Sequence, residues 1–297
     1  MRRRPAERVP FDVRGGELIA HRWPADGPDA PVVVAAHGIT GNGLTWARVA
    51  DHLDGAVTLV APDLRGRAGS AGLHGPYGMA AHAADIVAVL DALDVPSAVV
   101  AGHSMGGFVA TVTAAQYPDR VRSVVLVDGG VGFAMPPGLD IDAVLEATIG
   151  PAMQRLRMTF PTRDSYTEFW LAHPALRPDW APWIDEAMQY DLVGEEPELR
   201  SSCRMEAIRV DGADLMTTEG VRDAVRSLPV PAVLLWAPRG MINEPQGMYD
   251  ETRLQQAKLD PQRVRTVMVP DTNHYVILYA DRGAATVAAH IREAAGA

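Results

Sequence analysis

Six short apolar runs punctuate the chain: VVVAAH at 32–37, VTLVAP at 57–62, AVVAG at 98–102, SVVLVD at 123–128, AVLLW at 232–236 and RTVMVP at 265–270. They read as continuously apolar rather than alternating, as strands covered on both faces should. Between them, 80–93, 105–117 and 280–295 place apolar residues at helical spacing. Strands alternating with helices predict βαβ units: an α/β fold with a mostly parallel, twisted sheet and helices on both faces. Ahead of these, RVPFDV and ELIAHRW predict a hairpin turning at Gly15-Gly16.

The pattern changes between 133 and 225. No convincing buried strand occurs there, and Pro136, Pro137, Pro151, Pro161, Pro174, Pro178, Pro182 and Pro197 interrupt it. Bulk concentrates in the same stretch: Phe133, Phe160, Tyr166, Phe169, Trp170, Trp180, Trp183 and Tyr190, with Met135, Met153, Met158, Met188, Met205 and Met216. This predicts a helical insertion over the sheet, so that 1–132 and 226–297 form the core and 133–225 a cap. Most of these side chains would pack; a minority would line an apolar pocket, with Met158, Trp183 and Tyr190 as the candidates.

Composition narrows the partners. The chain has 297 residues, enough for one large domain with a sizeable core. A formal charge of −10 argues against nucleic acid or an anionic membrane as the main partner and leaves a small molecule. Lys258, in the polar stretch ETRLQQAKLD, is the single lysine, which disfavours Schiff-base chemistry. The lone Cys203 rules out an intrachain disulfide and fits a reducing compartment. The basic start MRRRPAERVP is followed by no apolar run and no stretch of 18 apolar residues exists, so a cytoplasmic protein is expected.

The strongest chemical signal is AVVAGHSMGGFVATVTAAQYP. A strand ends in Gly102-His103-Ser104-Met105-Gly106 and a helix starts at once, which is the setting of a G-x-S-x-G nucleophile elbow. In so tight a turn Ser104 Oγ projects into the site, while the helix N-terminus aims backbone N–H groups at developing negative charge. A serine hydroxyl is a poor nucleophile at neutral pH and needs an imidazole to take its proton. His274 is the best candidate base, since it alone follows a late strand, in a loop between Asp271 and the final helix. His37 and His103 flank glycine turns and read as structural. His21, His52, His74, His82, His173 and His290 are scattered without H-x-H or H-E-x-x-H spacing, so no metal site is supported. Phosphate-loop and dinucleotide-binding glycine patterns are also missing from the sequence, and no cofactor is expected.

Over nearly its whole length the sequence resembles the α/β-hydrolase superfamily. Besides GHSMGG the resemblance rests on HGITGNGLTW after the third strand, PDLRGRAGSA after the fourth, and NHY near the carboxyl terminus. It implies that His37-Gly38 begins an oxyanion loop, in which the N–H groups of Ile39 and Met105 hold the oxyanion and Gly38 adjoins the substrate. It also implies that His274 is the base and that the insertion is the family's substrate-shaping cap.

The resemblance fails at one place. The usual acid sits after the strand at 232–236, in a strand, Gly, two variable residues, Asp pattern; here Ala237 replaces the glycine and Gly240 the Asp. Two carboxylates remain. Asp128 ends the preceding strand, where pancreatic-type lipases and zearalenone lactonases carry their acid; a strand-end Asp can instead brace the next segment. Glu244, on the same loop as the empty slot, could swing back, or could simply start a helix before Pro245. Asp128 is preferred, with Glu244 in reserve.

The leading expectation is a serine hydrolase that cleaves a carboxylic ester or lactone of an apolar small molecule through an acyl-enzyme. The same triad cleaves C–C bonds in vinylogous diketones elsewhere in the superfamily. Epoxide hydrolases and haloalkane dehalogenases are disfavoured, because their elbow carries Asp where this one has Ser104. A non-catalytic small-molecule receptor is the alternative of a different class, favoured only by the empty slot at Gly240. A purely structural protein leaves a strained Ser104 turn without a purpose.

Overall fold

A computed structural model describes residues 3–132, 138 and 140–297. Phe133, Met135, Pro136 and Pro137 of the expected insertion lie outside the described residues. In chain order the strands are β1 (Glu7–Val13), β2 (Gly16–Trp23), β3 (Val32–Ala36), β4 (Thr58–Pro62), β5 (Ala98–His103), β6 (Val121–Val127), β7 (Leu192–Val193), β8 (Arg200–Ser201), β9 (Ala232–Trp236) and β10 (Val264–Met268). Eight of them form one sheet in the order β1-β2-β4-β3-β5-β6-β9-β10. β1 and β2 are the hairpin expected at Gly15-Gly16 and join antiparallel to β4; the rest run parallel. This is an α/β-hydrolase fold.

Apolar runs become strands here because each residue has a helix to face. Val34, Val100, Val124 and Leu234 pack into one cluster, with the helices Met79–Ala92 and Met105–Gln116. Their neighbours Val33, Val99, Val125, Val233 and Leu235 pack into a second, with the helices Ala47–Leu53 and Asp281–Ala295. The edge strand β10 departs from the expectation of two covered faces. Its pattern is largely exposed and Met268 lies open to solvent; among the described residues no strand pairs beyond it.

The insertion is built from the helices Ile141–Arg155, Arg163–Leu171, Pro182–Tyr190 and Met205–Thr217. It also holds the antiparallel ribbon β7–β8, which sequence reading did not anticipate, because two residues per strand leave no periodicity to detect. The short helix Glu219–Asp223 returns to the core, where Val221 joins the cluster around Met105–Gln116. No helix among the described residues is long and apolar enough to cross a membrane.

From β3 the chain steps one way to β4, then crosses back to lay β5 on the other side of β3. Ligands of open α/β sheets bind outside the carboxyl ends of the strands at such a reversal. Here the reversal brings the loop after β3 against the turn after β5: a Cβ added at Gly38 would sit 3.3 Å from Ser104 Cβ.

Candidate active site

Ser104 links β5 to the helix Met105–Gln116 with φ 54° and ψ −120°, in the region L side chains rarely adopt. Glycines make the turn possible. A Cβ on Gly102 would lie 1.9 Å from the Gly106 carbonyl oxygen, one on Gly106 2.2 Å from the Ala36 oxygen, and one on Gly129 2.1 Å from the Ser104 oxygen. Side chains at these positions would push the serine off the sheet.

His274 lies buried in the loop between β10 and the helix Val276–Tyr279. Its Nδ1 is 2.7 Å from Asp128 Oδ2. An ionised carboxylate only accepts, so the ring proton sits on Nδ1 and Nε2 keeps its lone pair, the form a general base needs. Asp128 follows β6, buried and with φ 43°. Its other oxygen, Oδ1, accepts the Ala237 N–H at 3.0 Å. The loop after β9, which has Gly240 in the usual acid slot, thus braces the Asp128 carboxylate at the end of the neighbouring strand.

Glu244 does not reach the histidine. Its Oε2 accepts the Ile242 N–H at 2.8 Å, within its own loop. A Cβ on Gly240 would meet Glu244 Oε1 at 2.0 Å, so the Glu244 carboxylate fills the space a residue-240 side chain would need. The empty slot, the one feature that favoured a receptor, is therefore no sign of a missing carboxylate beside His274.

Two other histidines support this centre. His37 Nε2 accepts the Leu64 N–H at 2.9 Å, which leaves the proton on Nδ1 to donate to the Gly38 carbonyl at 2.7 Å. Burial pushes the His37 imidazole down to about 4, and it stays neutral. His103 Nε2 donates to the His274 carbonyl at 2.8 Å, and the two rings pack with centroids 4.7 Å apart. Burial, then the neighbouring His274, lowers His103 well below the ordinary histidine value.

Ser104, His103 and His274 line one cavity with an empty volume of about 680 Å³, counting space open to solvent. Gly38 and Ile39 form part of its wall, as does Thr40. Met105 opens the helix behind Ser104, and its sulfur faces Arg67 Nη2 at 3.8 Å. From the insertion come Ile149, Trp170, Met188 and the buried pair Arg155 and Asp191; Met241, Tyr275 and Tyr279 close the remaining side.

Three expected pocket residues lie elsewhere. Tyr190 donates its hydroxyl to the buried Asp63 at 2.8 Å and packs edge-on against His21. Trp183 donates Nε1–H to the Tyr279 carbonyl at 2.8 Å, under the Arg48 guanidinium. Met158 packs against the core cluster that holds Phe160 and Tyr166. All three join the insertion to the core or to itself, because a helix turns some of its bulk away from any cavity beside it. Sequence reading missed Arg155, Asp191 and Met241, which carry no local motif. Among the described residues, no group of three or more His, Cys, Asp or Glu side chains could hold a metal ion.

Comparison with known proteins gives a consistent picture. The family model described as "alpha/beta hydrolase fold" matches residues 31–281. The chain is 40% identical over 108 residues to "Lipase LipV" of Mycobacterium tuberculosis, covering 36% of this chain and 41% of that protein. It is 31% identical over 161 residues to a "2-hydroxy-6-oxo-2,4-heptadienoate hydrolase" of Pseudomonas putida, covering 52% and 58%. Both matches span less than two thirds of the relative's own length. Among solved structures, an "E-2-(Acetamidomethylene)succinate Hydrolase" superposes with a TM-score of 0.77 at 21% identity, covering 98% of this chain and 100% of that one. A "Thioesterase Domain From Curacin Biosynthetic Pathway" gives 0.74 at 22% identity, covering 97% and 99%.

Proposed function

Because the chain belongs to the alpha/beta hydrolase fold family, we propose that it is a serine hydrolase cleaving a carboxylic ester or lactone of an apolar small molecule. Ser104 is the nucleophile, His274 the base and Asp128 the acid. The observation that carries this reading is the buried His274–Asp128 hydrogen bond at 2.7 Å, opening onto the same cavity as a serine held at positive φ.

The chemistry follows from the lone pairs. His274 Nε2 takes the Ser104 proton as Oγ attacks the carbonyl carbon, and the imidazolium shares its Nδ1–H with Asp128, which stays ionised. The N–H groups of Ile39 and Met105 receive the oxyanion. As the tetrahedral intermediate collapses, His274 returns the proton to the departing alcohol, or to the ring-opened hydroxyl of a lactone. Water then attacks the acyl-enzyme by the same route and frees Ser104. The apolar part of the wall, Ile39, Ile149, Trp170, Met188 and Met241, suits an apolar acyl body.

C–C bond hydrolysis with the same triad is the second reading. It is favoured by the printed name of the Pseudomonas putida relative, which belongs to that protein. A fluorophosphonate probe followed by mass analysis tests the class: a Ser104 adduct is expected in the wild type and none in Ser104→Ala. Turnover of p-nitrophenyl esters, lactones and a vinylogous diketone then separates the two readings. The absence of any Ser104-dependent adduct would overturn both.

A further inference from the structure

In the loop Gly38–Gly41 three consecutive carbonyl oxygens, those of Gly38, Ile39 and Thr40, each accept a hydrogen bond. Gly38 O accepts from the Gly41 N–H at 3.0 Å and from His37 Nδ1. Ile39 O accepts from Arg67 Nε at 3.0 Å, and Thr40 O from Arg155 Nη2 at 3.3 Å. Both arginines are buried, and each is paired with a buried aspartate of the insertion. Arg67 Nη1 lies 2.5 Å from Asp211 on the helix Met205–Thr217, and Arg155 Nη1 contacts Asp191, just past Pro182–Tyr190. Asp211 is itself fixed by the Gly78 N–H at 2.6 Å and His82 Nε2 at 3.0 Å.

We propose that Arg67 and Arg155 are positioning residues that clamp the oxyanion loop, so that seating of the cap sets the geometry of the oxyanion hole. The inference rests on the serine-hydrolase reading above. A buried charge is costly unless paired and fully hydrogen-bonded, and an apolar side chain would fill the same space at lower cost. What an apolar side chain lacks is the planar fork of donors. Arg67 spends that fork on both sides of the hole at once. Nε holds the Ile39 carbonyl, Nη2 faces the Met105 sulfur, and Nη1 bonds the Arg65 carbonyl at 2.7 Å as well as Asp211. The Ile39 N–H shares its peptide plane with the Gly38 carbonyl, which His37 and Gly41 hold, and fixing the next two planes through the Ile39 and Thr40 carbonyls limits the rotation left to it. Oxyanion donors act on the transition state and not on the bound ester, so a loosened loop lowers kcat and spares KM.

Arg67 is the cleaner test, because it does not line the cavity. Arg67→Lys keeps the charge for Asp211 but not the fork. The expected result is a folded protein with kcat reduced roughly ten- to a hundred-fold, KM within about two-fold, and a parallel loss of affinity for a trifluoromethyl ketone, a smaller loss than the roughly hundred- to thousand-fold that follows outright removal of an oxyanion donor. Amide hydrogen exchange at residues 38–41 should quicken at least about ten-fold, a readout that needs no turnover. Should Arg67→Lys fold poorly, Arg67→Met with Asp211→Leu removes both charges together and should show the same kinetic split. Wild-type kcat and unchanged exchange in the folded variants, or a change in KM alone, would overturn the clamp. Fluorophosphonate labelling of the wild type reports on the hydrolase reading separately. With no Ser104 adduct that reading falls, and exchange at 38–41 still decides whether the arginine holds the loop.

Discussion

Asp128 and Glu244 differ in what their carboxylates have left to offer. Asp128 gives one oxygen to Ala237 N–H and the other to His274, while Glu244 is spent on Ile242 N–H in an exposed loop. Replacing Asp128 by Asn should therefore lower kcat by about 10³ to 10⁴, as loss of the acid does in serine proteases, whereas Glu244→Gln should stay within about two-fold. Measured turnover of the two purified variants checks this, and equal losses would contradict the assignment. His37 supports a second expectation. Its folded pKa of about 4 lies below the ordinary histidine value of about 6.5. Between those values the unfolded chain binds a proton that the native chain refuses, so stability rises with pH across the window. The contribution is fully present above about pH 6.5 and is lost toward pH 4, up to about 3 kcal/mol; His103 acts in the same direction. Urea midpoints should fall from pH 7 to pH 5, and fall less in His37→Gln. The serine and histidine were legible because each sits at a strand end beside a motif, and Asp128 could be ranked first because the usual slot held glycine. Arg67 and Arg155 were not legible: their partners are remote in sequence, and only folding brings those partners to the loop after β3.

At the scale of elements, the elbow depends on how closely β3, β5, β6 and the helix Met105–Gln116 approach one another. Gly106 packs against the Ala36 carbonyl of β3, and Gly129 against the Ser104 backbone. Backbone cannot yield as the tip of a side chain can, so Gly106→Ala or Gly129→Ala should cost about 3 kcal/mol or more. Thermal melts check this: both variants should melt well below wild type, while Gly72→Ala, where a Cβ meets nothing within 4 Å, should not. The central strands could be read from sequence to within a residue or two, because both faces are covered and their runs are unbroken. β10 was read as equally covered, since an apolar run does not tell a central strand from an edge.

For the molecule as a whole, the segment between β6 and β9 is joined to the core by polar contacts as well as by apolar packing. Asn42 Nδ2 donates to the Ala187 carbonyl at 2.8 Å, Tyr190 to Asp63, and the Arg204 N–H to the Gly66 carbonyl at 2.9 Å. Such contacts explain why a count of aromatics and methionines in the insertion misjudged the pocket: the side chains that fasten the insertion are large, and so are those that line the cavity. Met188 and Met158 separate the two roles. Both are methionines of the insertion, but Met188 lines the cavity and Met158 packs against the core cluster. If the cavity receives the acyl body, Met188→Ala opens room for added methylenes, each worth about 0.8 kcal/mol when buried. The ratio of kcat/KM for a hexanoate over a butanoate ester should then rise by up to about ten-fold in Met188→Ala and stay at the wild-type value in Met158→Ala. A ratio that moves equally in both variants, or in neither, would mean that the acyl body binds outside the cavity that Met188 lines.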